Sequence, residues 1–255
     1  MMIADLLRIA VCIPFLLYSC ISDLKTRRVS NNVWLAMLIF SIIFAAYDFF
    51  NAGLFSLLKL FISAGFIFLF VYALFYFGAF GGADAKALIA ISLLFPNFPA
   101  FKFDMLSLPI GGVPALNFFA FSTFGNAVIL TVVVPIGLLI YNLKTLSFKE
   151  IREKPLYLFI GYKCRISALA NKHLRLVENH ELQNGEVVRK FKRGGIAIDE
   201  KLIENLEALA REGKIDNKVW VTPGLPFMLS ITAGFFAAII YGDILFAITR
   251  AMIVK

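Results

Sequence analysis

The stretch LFSLLKLFISAGFIFLFVYALFYF, residues 54–77, contains a single charged side chain, Lys59. A helix needs about 20 apolar residues to cross the ~30 Å hydrocarbon layer of a bilayer, so this stretch reads as a transmembrane helix. It runs directly into Gly78-Ala-Phe-Gly-Gly-Ala83, which is followed by Asp84. Similar apolar runs occupy Ile3–Ser22, Val33–Phe50, about Asn117–Tyr141 and about Leu225–Ala247. A further run, Asp84–Phe95, reaches only ~18 Å as a helix, which makes it a half-span or a helix packed inside a bundle. Pro96 and Pro99 end it. The stretch on to Leu116, with Pro109, Gly111, Gly112 and Pro114, reads as an ordered loop or a re-entrant piece.

Composition agrees. The 255 residues are 60% hydrophobic and 16% charged, against roughly half and a quarter in a water-soluble domain, and their mean hydropathy is +0.82. A cleaved signal peptide at the N-terminus is disfavoured, because Lys25, Arg27 and Arg28 follow the first apolar run instead of preceding it. The three cysteines (Cys12, Cys20, Cys164) have no metal-ligand spacing and read as buried free thiols. His173 and His180 have no nearby Cys and make a poor ligand set, so neither metal nor cofactor is expected. The net charge of +8 follows no aromatic-interleaved stripe, which excludes nucleic acid and leaves the lipid bilayer as the expected surroundings.

Lys144–Lys218 differs in kind, with 16 Lys/Arg and 11 Asp/Glu. Leu156–Ile166, Leu174–Glu178 and Glu186–Phe191 read as strands, with Asn184-Gly185 as a hairpin turn. Asp199–Gly213 reads as an amphipathic helix with an acidic start and a glycine stop. The expected fold is therefore an α-helical polytopic membrane protein of about six transmembrane helices, with a small α+β cytoplasmic domain between the last two. Its divisions are a membrane domain over 1–142 with spans one to five, a soluble domain over 143–219, and the last span and tail over 220–255.

With six spans, one membrane face receives 20 Lys/Arg and the other 5. The short Lys25–Arg28 loop carries the positive-inside argument, since large domains count weakly in it. The expected topology is multi-pass in the plasma membrane, with the N-terminus outside and the soluble domain in the cytoplasm. Asp23 and Asp84 then share the cytoplasmic boundary.

Six carboxylates lie outside the soluble segment: Asp5, Asp23, Asp48, Asp84, Asp104 and Asp243. Four fall at outer ends or loops, where solvation is expected to suffice. Asp23 and Asp84 sit where apolar spans meet one face, and Asp84 follows glycines that permit close backbone approach. Alone, Asp23 reads as an ordinary interfacial carboxylate beside its basic neighbours, and Asp84 as a helix cap. Brought together, two carboxyls share a proton, and such a pair can activate water and polarise a carbonyl without Ser, Cys or metal.

Three segments carry a resemblance. Ser22-Asp-Leu-Lys-Thr-Arg-Arg-Val-Ser-Asn-Asn32 resembles the first aspartate motif of type IV prepilin peptidases. Phe80-Gly-Gly-Ala-Asp-Ala-Lys86 resembles the second, which defines the GxGD aspartyl proteases, except that Ala83 replaces the second glycine. Thr222-Pro-Gly-Leu-Pro-Phe227 is similar to the proline motif of that group. The archaeal preflagellin peptidase branch fits best, since no cysteine-rich region is present and a soluble domain precedes the last span. The resemblance implies that Asp23 and Asp84 are catalytic, that Gly81, Gly82, Ala83 and Lys86 support them, and that Pro223, Gly224, Leu225 and Pro226 hold substrate. It further implies a leader-bearing flagellin or pilin-like precursor, cut just before its apolar helix. An archaeal prepilin peptidase is the near alternative. A proton- or cation-coupled transporter and a non-catalytic scaffold are the readings from other classes, and the transporter would require repeated halves that the sequence lacks.

Overall fold

The computed structural model describes residues 2–78, 80–102, 106–114, 116–170, 174–183, 186–224 and 226–253. In chain order the first elements are the helices α1 (Met2–Thr26), α2 (Asn31–Ala52), α3 (Leu54–Tyr76) and α4 (Gly82–Leu94). A two-stranded hairpin follows, β1 (Phe101–Lys102) and β2 (Ser107–Leu108), and then α5 (Phe119–Thr131) and α6 (Val133–Thr145). Two short helices, α7 (Phe148–Glu153) and α8 (Tyr157–Ile160), lead into β3 (Tyr162–Arg165), β4 (Leu174–Gln183) and β5 (Glu186–Ala197). Helix α9 (Glu200–Arg211), strand β6 (Lys218–Pro223), α10 (Phe227–Ile240) and α11 (Ile244–Ile253) complete the order. The expected Asn184-Gly185 turn, His173, Asp104 and Leu225 lie outside the described residues.

Among the described residues, four helical stretches are long and apolar enough to cross a bilayer: α1, α2, α3 and the combined Phe119–Thr145. The pair α10 and α11 makes a fifth if it is taken as one span, although it is bent by 59°. The count of six is therefore not reached. The difference is α4, whose 13 residues rise only about 20 Å.

The chain forms two compact units, Met1–Thr131 with Pro226–Lys255, and Val132–Leu225. The first is organised inversely to a water-soluble bundle. Ser41, Ser63, Ser92, Ser122, Thr123 and Asn126 are buried, while Ile42, Phe61, Leu69 and Phe75 face outward. Hydroxyl and amide side chains among the buried residues, with many large apolar ones turned outward, is the arrangement of helices that pack in lipid. The centre is the ring triad Phe95, Phe119 and Phe235, with centroids 4.9–5.8 Å apart. Helix α10 approaches α5 at Gly234, where a Cβ would come within 2.7 Å of the Ala127 amide nitrogen. In the described part of the loop after α4, the Ile110 and Gly111 amides donate to the carbonyls of Ile240 and Tyr241 at 2.9 and 2.7 Å.

Three of the outlying aspartates, Asp5, Asp48 and Asp243, are partnered, and solvation alone does not account for them. Arg8, nearly buried, donates Nη1 to Asp5 at 2.7 Å and Nη2 to Asp48 at 2.5 Å, so one cation joins α1 to α2. Asp243 accepts from the Ser122 hydroxyl at 2.6 Å and from the Phe246 amide at 2.8 Å, which holds the α10–α11 bend.

The second unit is built on an antiparallel sheet of order β3-β6-β4-β5. Helix α9 covers it with Leu206 and Leu209, and its N-cap is Asp199, which accepts from the Leu202 amide at 2.8 Å. Two strand expectations change. Leu156–Ile166 is a helical turn followed by a short strand, since Lys154-Pro155 starts α8 and Gly161 ends it. At Gly161 a Cβ would meet the Val221 carbonyl oxygen at 2.5 Å, so only glycine lets β3 begin there against β6. Strand β6 is an addition, and it lies inside the sheet with Val219, Trp220 and Val221 buried.

Asn142 ties α6 to this sheet. Its side chain is fully buried and Nδ2 donates to the Leu158 and Gly161 carbonyls at 3.0 and 2.7 Å. Substituting Asn142→Ala is expected to cost about 1–3 kcal/mol by leaving two buried carbonyls unpaired. Thermal unfolding of the detergent-solubilised protein measures that loss.

Candidate active site

Helix α1 stops one turn beyond Asp23. Arg27 adopts φ 56°, the left-handed conformation that usually falls to glycine after a helix, and its amide donates to the Asp23 carbonyl at 3.0 Å. The turn is pinned by hydroxyls. Ser22 Oγ donates to the Arg28 carbonyl at 2.6 Å, and Thr26 Oγ1 lies 2.9 Å from the Ser22 carbonyl and 3.1 Å from that of Arg28. Ser30 then caps α2 by accepting from the Asn32 amide at 3.3 Å. A four-residue connection held at both ends fixes Asp23, which is half-buried.

Asp84 stands in the first turn of α4, three residues after the helix-capping Gly81. A Cβ on Gly81 would lie 2.8 Å from Asp84 Oδ2, so the absence of a side chain there makes room for the carboxylate. Ala83 lies inside α4, and positive φ among non-glycine residues is confined to Arg27 in the described chain. The departure from GxGD therefore carries no backbone strain, and Gly82 likewise sits in ordinary helix. Substituting Ala83→Gly is expected to leave cleavage unchanged and to cost at most about 1 kcal/mol, as read from precursor turnover and thermal unfolding.

Within the first unit, the first two motifs meet each other and the start of α10, where the third motif ends. Lys86 Nζ donates to Asn31 Oδ1 at 2.7 Å, which joins the second aspartate motif to the end of the first. Cys20, one turn before Asp23, lies 3.3 Å from the Met228 carbonyl and 3.0 Å from Thr232 Oγ1, which joins α1 to the start of α10. The Phe80 and Phe227 rings meet edge to face at 5.2 Å, which joins the second motif to the third. Helix α1, which carries Asp23 near its end, packs on α4, which carries Asp84 in its first turn. Five of these connecting side chains, Cys20, Asn31, Phe80, Phe227 and Thr232, were not sequence candidates. Asn31, Phe80 and Phe227 stand inside the quoted motifs, but nothing in the sequence marks Cys20 or Thr232.

Of the proline motif, Pro223 is the last residue of β6, Gly224 is half-buried and Pro226 is the N-cap of α10. Beyond Lys86, an apolar groove of about 440 Å³ opens between α2 and α4. It is lined by Trp34, Leu35, Leu38, Ile89 and Leu93, with Asn31, Asn32 and Lys86 at its polar end. Among the described residues no cluster of His, Cys, Asp or Glu has a metal-holding arrangement.

Residues 10–136 match the model of the type IV leader peptidase family, and residues 153–244 match that of the archaeal peptidase A24 C-terminus, type II. The chain is 26% identical to a preflagellin peptidase of Methanocaldococcus jannaschii, over 89% of this chain and 91% of that one. It is 28% identical to a preflagellin peptidase of Methanococcus voltae, over 93% and 96% respectively. A third, from Methanococcus maripaludis, is 25% identical over 89% of this chain and 92% of its own length.

Proposed function

Since the chain belongs to the type IV leader peptidase family, we propose that it is a membrane aspartyl endopeptidase that removes the leader peptide from preflagellin precursors. The observation that carries this reading is the meeting of the first two motifs with each other and with the start of α10, through the Lys86–Asn31, Cys20–Thr232 and Phe80–Phe227 contacts. Asp23 and Asp84 are the catalytic pair. One carboxylate takes a proton from the attacking water, and the other, protonated, donates to the scissile carbonyl oxygen. Both side chains are half-buried, and two carboxyls brought together share a proton. Gly81, Gly82 and Ala83 hold the second aspartate at the start of α4, and Lys86 ties it to the first motif.

The substrate is a precursor with a short basic leader before an apolar helix. The chain's similarity to preflagellin peptidases favours preflagellin over a pilin-like precursor. The bond is cut at the cytoplasmic boundary, with the N-terminus of this chain outside, the segment 143–219 in the cytoplasm and six crossings, of which α4 is the short one. Maleimide labelling of Arg28→Cys from the cytoplasmic side only is the expected result for this topology. A backbone must be extended to be cut, and Pro223–Pro226 cannot form regular helix. Pro226→Ala is therefore expected to raise KM for the precursor more than it lowers kcat, and unchanged kinetics would remove the substrate-holding role. The decisive assay is conversion of a purified preflagellin precursor by the reconstituted enzyme, followed by the mobility shift on loss of the leader.

A further inference from the structure

The second unit carries an apolar patch that its own core does not absorb. Phe148, Leu156, Phe159 and Ile160 are all exposed, Phe148 and Leu156 to 80% and 76%. They lie on α7, α8 and the Pro155 link between them. The opposite side of the same stretch is well packed: Leu158 is buried with Val177 and Trp220, and Leu139, Leu146, Ile151 and Tyr157 fill in around them. The outward residues are thus one face of a folded segment.

That face stands at the end of a helix suited to hydrocarbon. Helix α6 is the second half of the apolar stretch Phe119–Thr145, and it turns Val133, Ile136, Ile140 and Leu143 outward. Asn142, in its last turn, holds the α8 carbonyl of Leu158 and that of Gly161. A helix whose body lies in the acyl layer ends among headgroups, and α8 is clamped to that end. The side chains fit the location. Exposed Lys144, Lys149 and Arg152 are interleaved with the apolar residues. Tyr141 and Tyr162 meet edge to face at 5.8 Å on the same rim, and tyrosine is enriched in this layer.

We propose that Phe148–Ile160 is an interfacial membrane anchor. Its four apolar side chains enter the headgroup–acyl boundary, and Lys144, Lys149 and Arg152 lie on anionic headgroups. The partner is the bilayer surface itself. The anchor also sets a height within the unit: β3 starts directly after Gly161 and pairs Tyr162 with Val221, so the depth of α8 fixes how far Thr222 and Pro223 stand from the bilayer. The inference rests on the membrane reading of α6 and not on the peptidase reading.

The test is depth measurement by spin label in the full chain reconstituted into bilayers. Cys12, Cys20 and Cys164 are buried, so a cysteine introduced at an exposed position is labelled selectively. Labels at Leu156→Cys and Phe159→Cys are expected to collide more with oxygen than with an aqueous nickel chelate. A label at Lys201→Cys, on the exposed face of α9, is expected to show the reverse. Leu156 and Phe159 labels that behave like the one at 201 would overturn the anchor. So would dipolar broadening between labels on different copies, which would make the patch a contact between chains. Phosphatidylglycerol mixed into phosphatidylcholine is expected to deepen both labels, and substituting Lys144, Lys149 and Arg152 together by Gln is expected to abolish that response. Equal depth in the two lipids would overturn the role given to the basic residues.

Discussion

Asp84→Asn is expected to lower cleavage of a preflagellin precursor by about 10²–10⁴-fold or more, and Asp23→Asn to do the same, with the fold intact. An amide has nearly the shape of a carboxylate but neither takes a proton from water nor gives one to a carbonyl. The two losses should not add. Once one member is gone the shared proton is gone, so the double variant is expected to be about as inactive as either single one. The pH profile provides an independent readout. In the proposed mechanism the working state holds one proton on two carboxyls, so activity is expected to fall on the acid side, where both are protonated, and on the alkaline side, where both are ionised. A bell is expected in the wild type and no residual bell in either variant. The competing reading, in which Asp84 only caps α4, makes a different forecast. Asn is itself a good capping residue, so Asp84→Asn would then change stability by at most about 1 kcal/mol and leave turnover alone. Full activity in either single variant removes that aspartate from the catalytic pair.

How much of this was legible in the sequence depends on the range over which each feature is determined. The bundle was readable because each long span is one continuous apolar run, as in 54–77, and burial of a run needs no knowledge of its neighbours. The two aspartates were readable because charges are rare there and each sits at the end of such a run. Helix α9 was readable from Asp199 and Gly213. Strand β6 was not, because Val219 and Val221 lie between polar loop residues and a proline motif that appeared to belong to the next span. The pairing of Arg8 with Asp48 was equally hidden, since it joins residues 40 apart across two helices. Ala83 shows the converse. Read as a motif it was a defect, because a pattern of glycines implies positive φ, but the residue sits in ordinary helix. The glycine that the geometry requires is the other one, Gly81, and its reason lies in where the side chain three residues later goes.

Gly81→Ala should therefore separate position from presence. The added Cβ would stand 2.8 Å from Asp84 Oδ2, closer than non-bonded carbon and oxygen tolerate, and the carboxylate is the part free to move. Backbone strain is not at issue, because Gly81 has φ −77° and ψ 150°, which alanine adopts readily. The carboxylate rotates away, while Asp84 remains present. Displacement of a catalytic group by about 1 Å costs on the order of 10²-fold in rate, so a loss of that size in kcat is expected, with KM for the precursor little changed. Thermal stability should fall by about 1 kcal/mol at most, since the exposed cap makes no other contact that alanine removes. Gly82→Ala serves as the contrast. Its Cβ would meet only the Phe75 ring, at 3.9 Å, which is ordinary contact, and near-normal activity is expected. Equal activity in the Gly81 and Gly82 variants would mean that the carboxylate position seen beside Gly81 is not the one used in catalysis. A loss confined to Gly81→Ala would tie the first glycine of the motif to the placement of its aspartate.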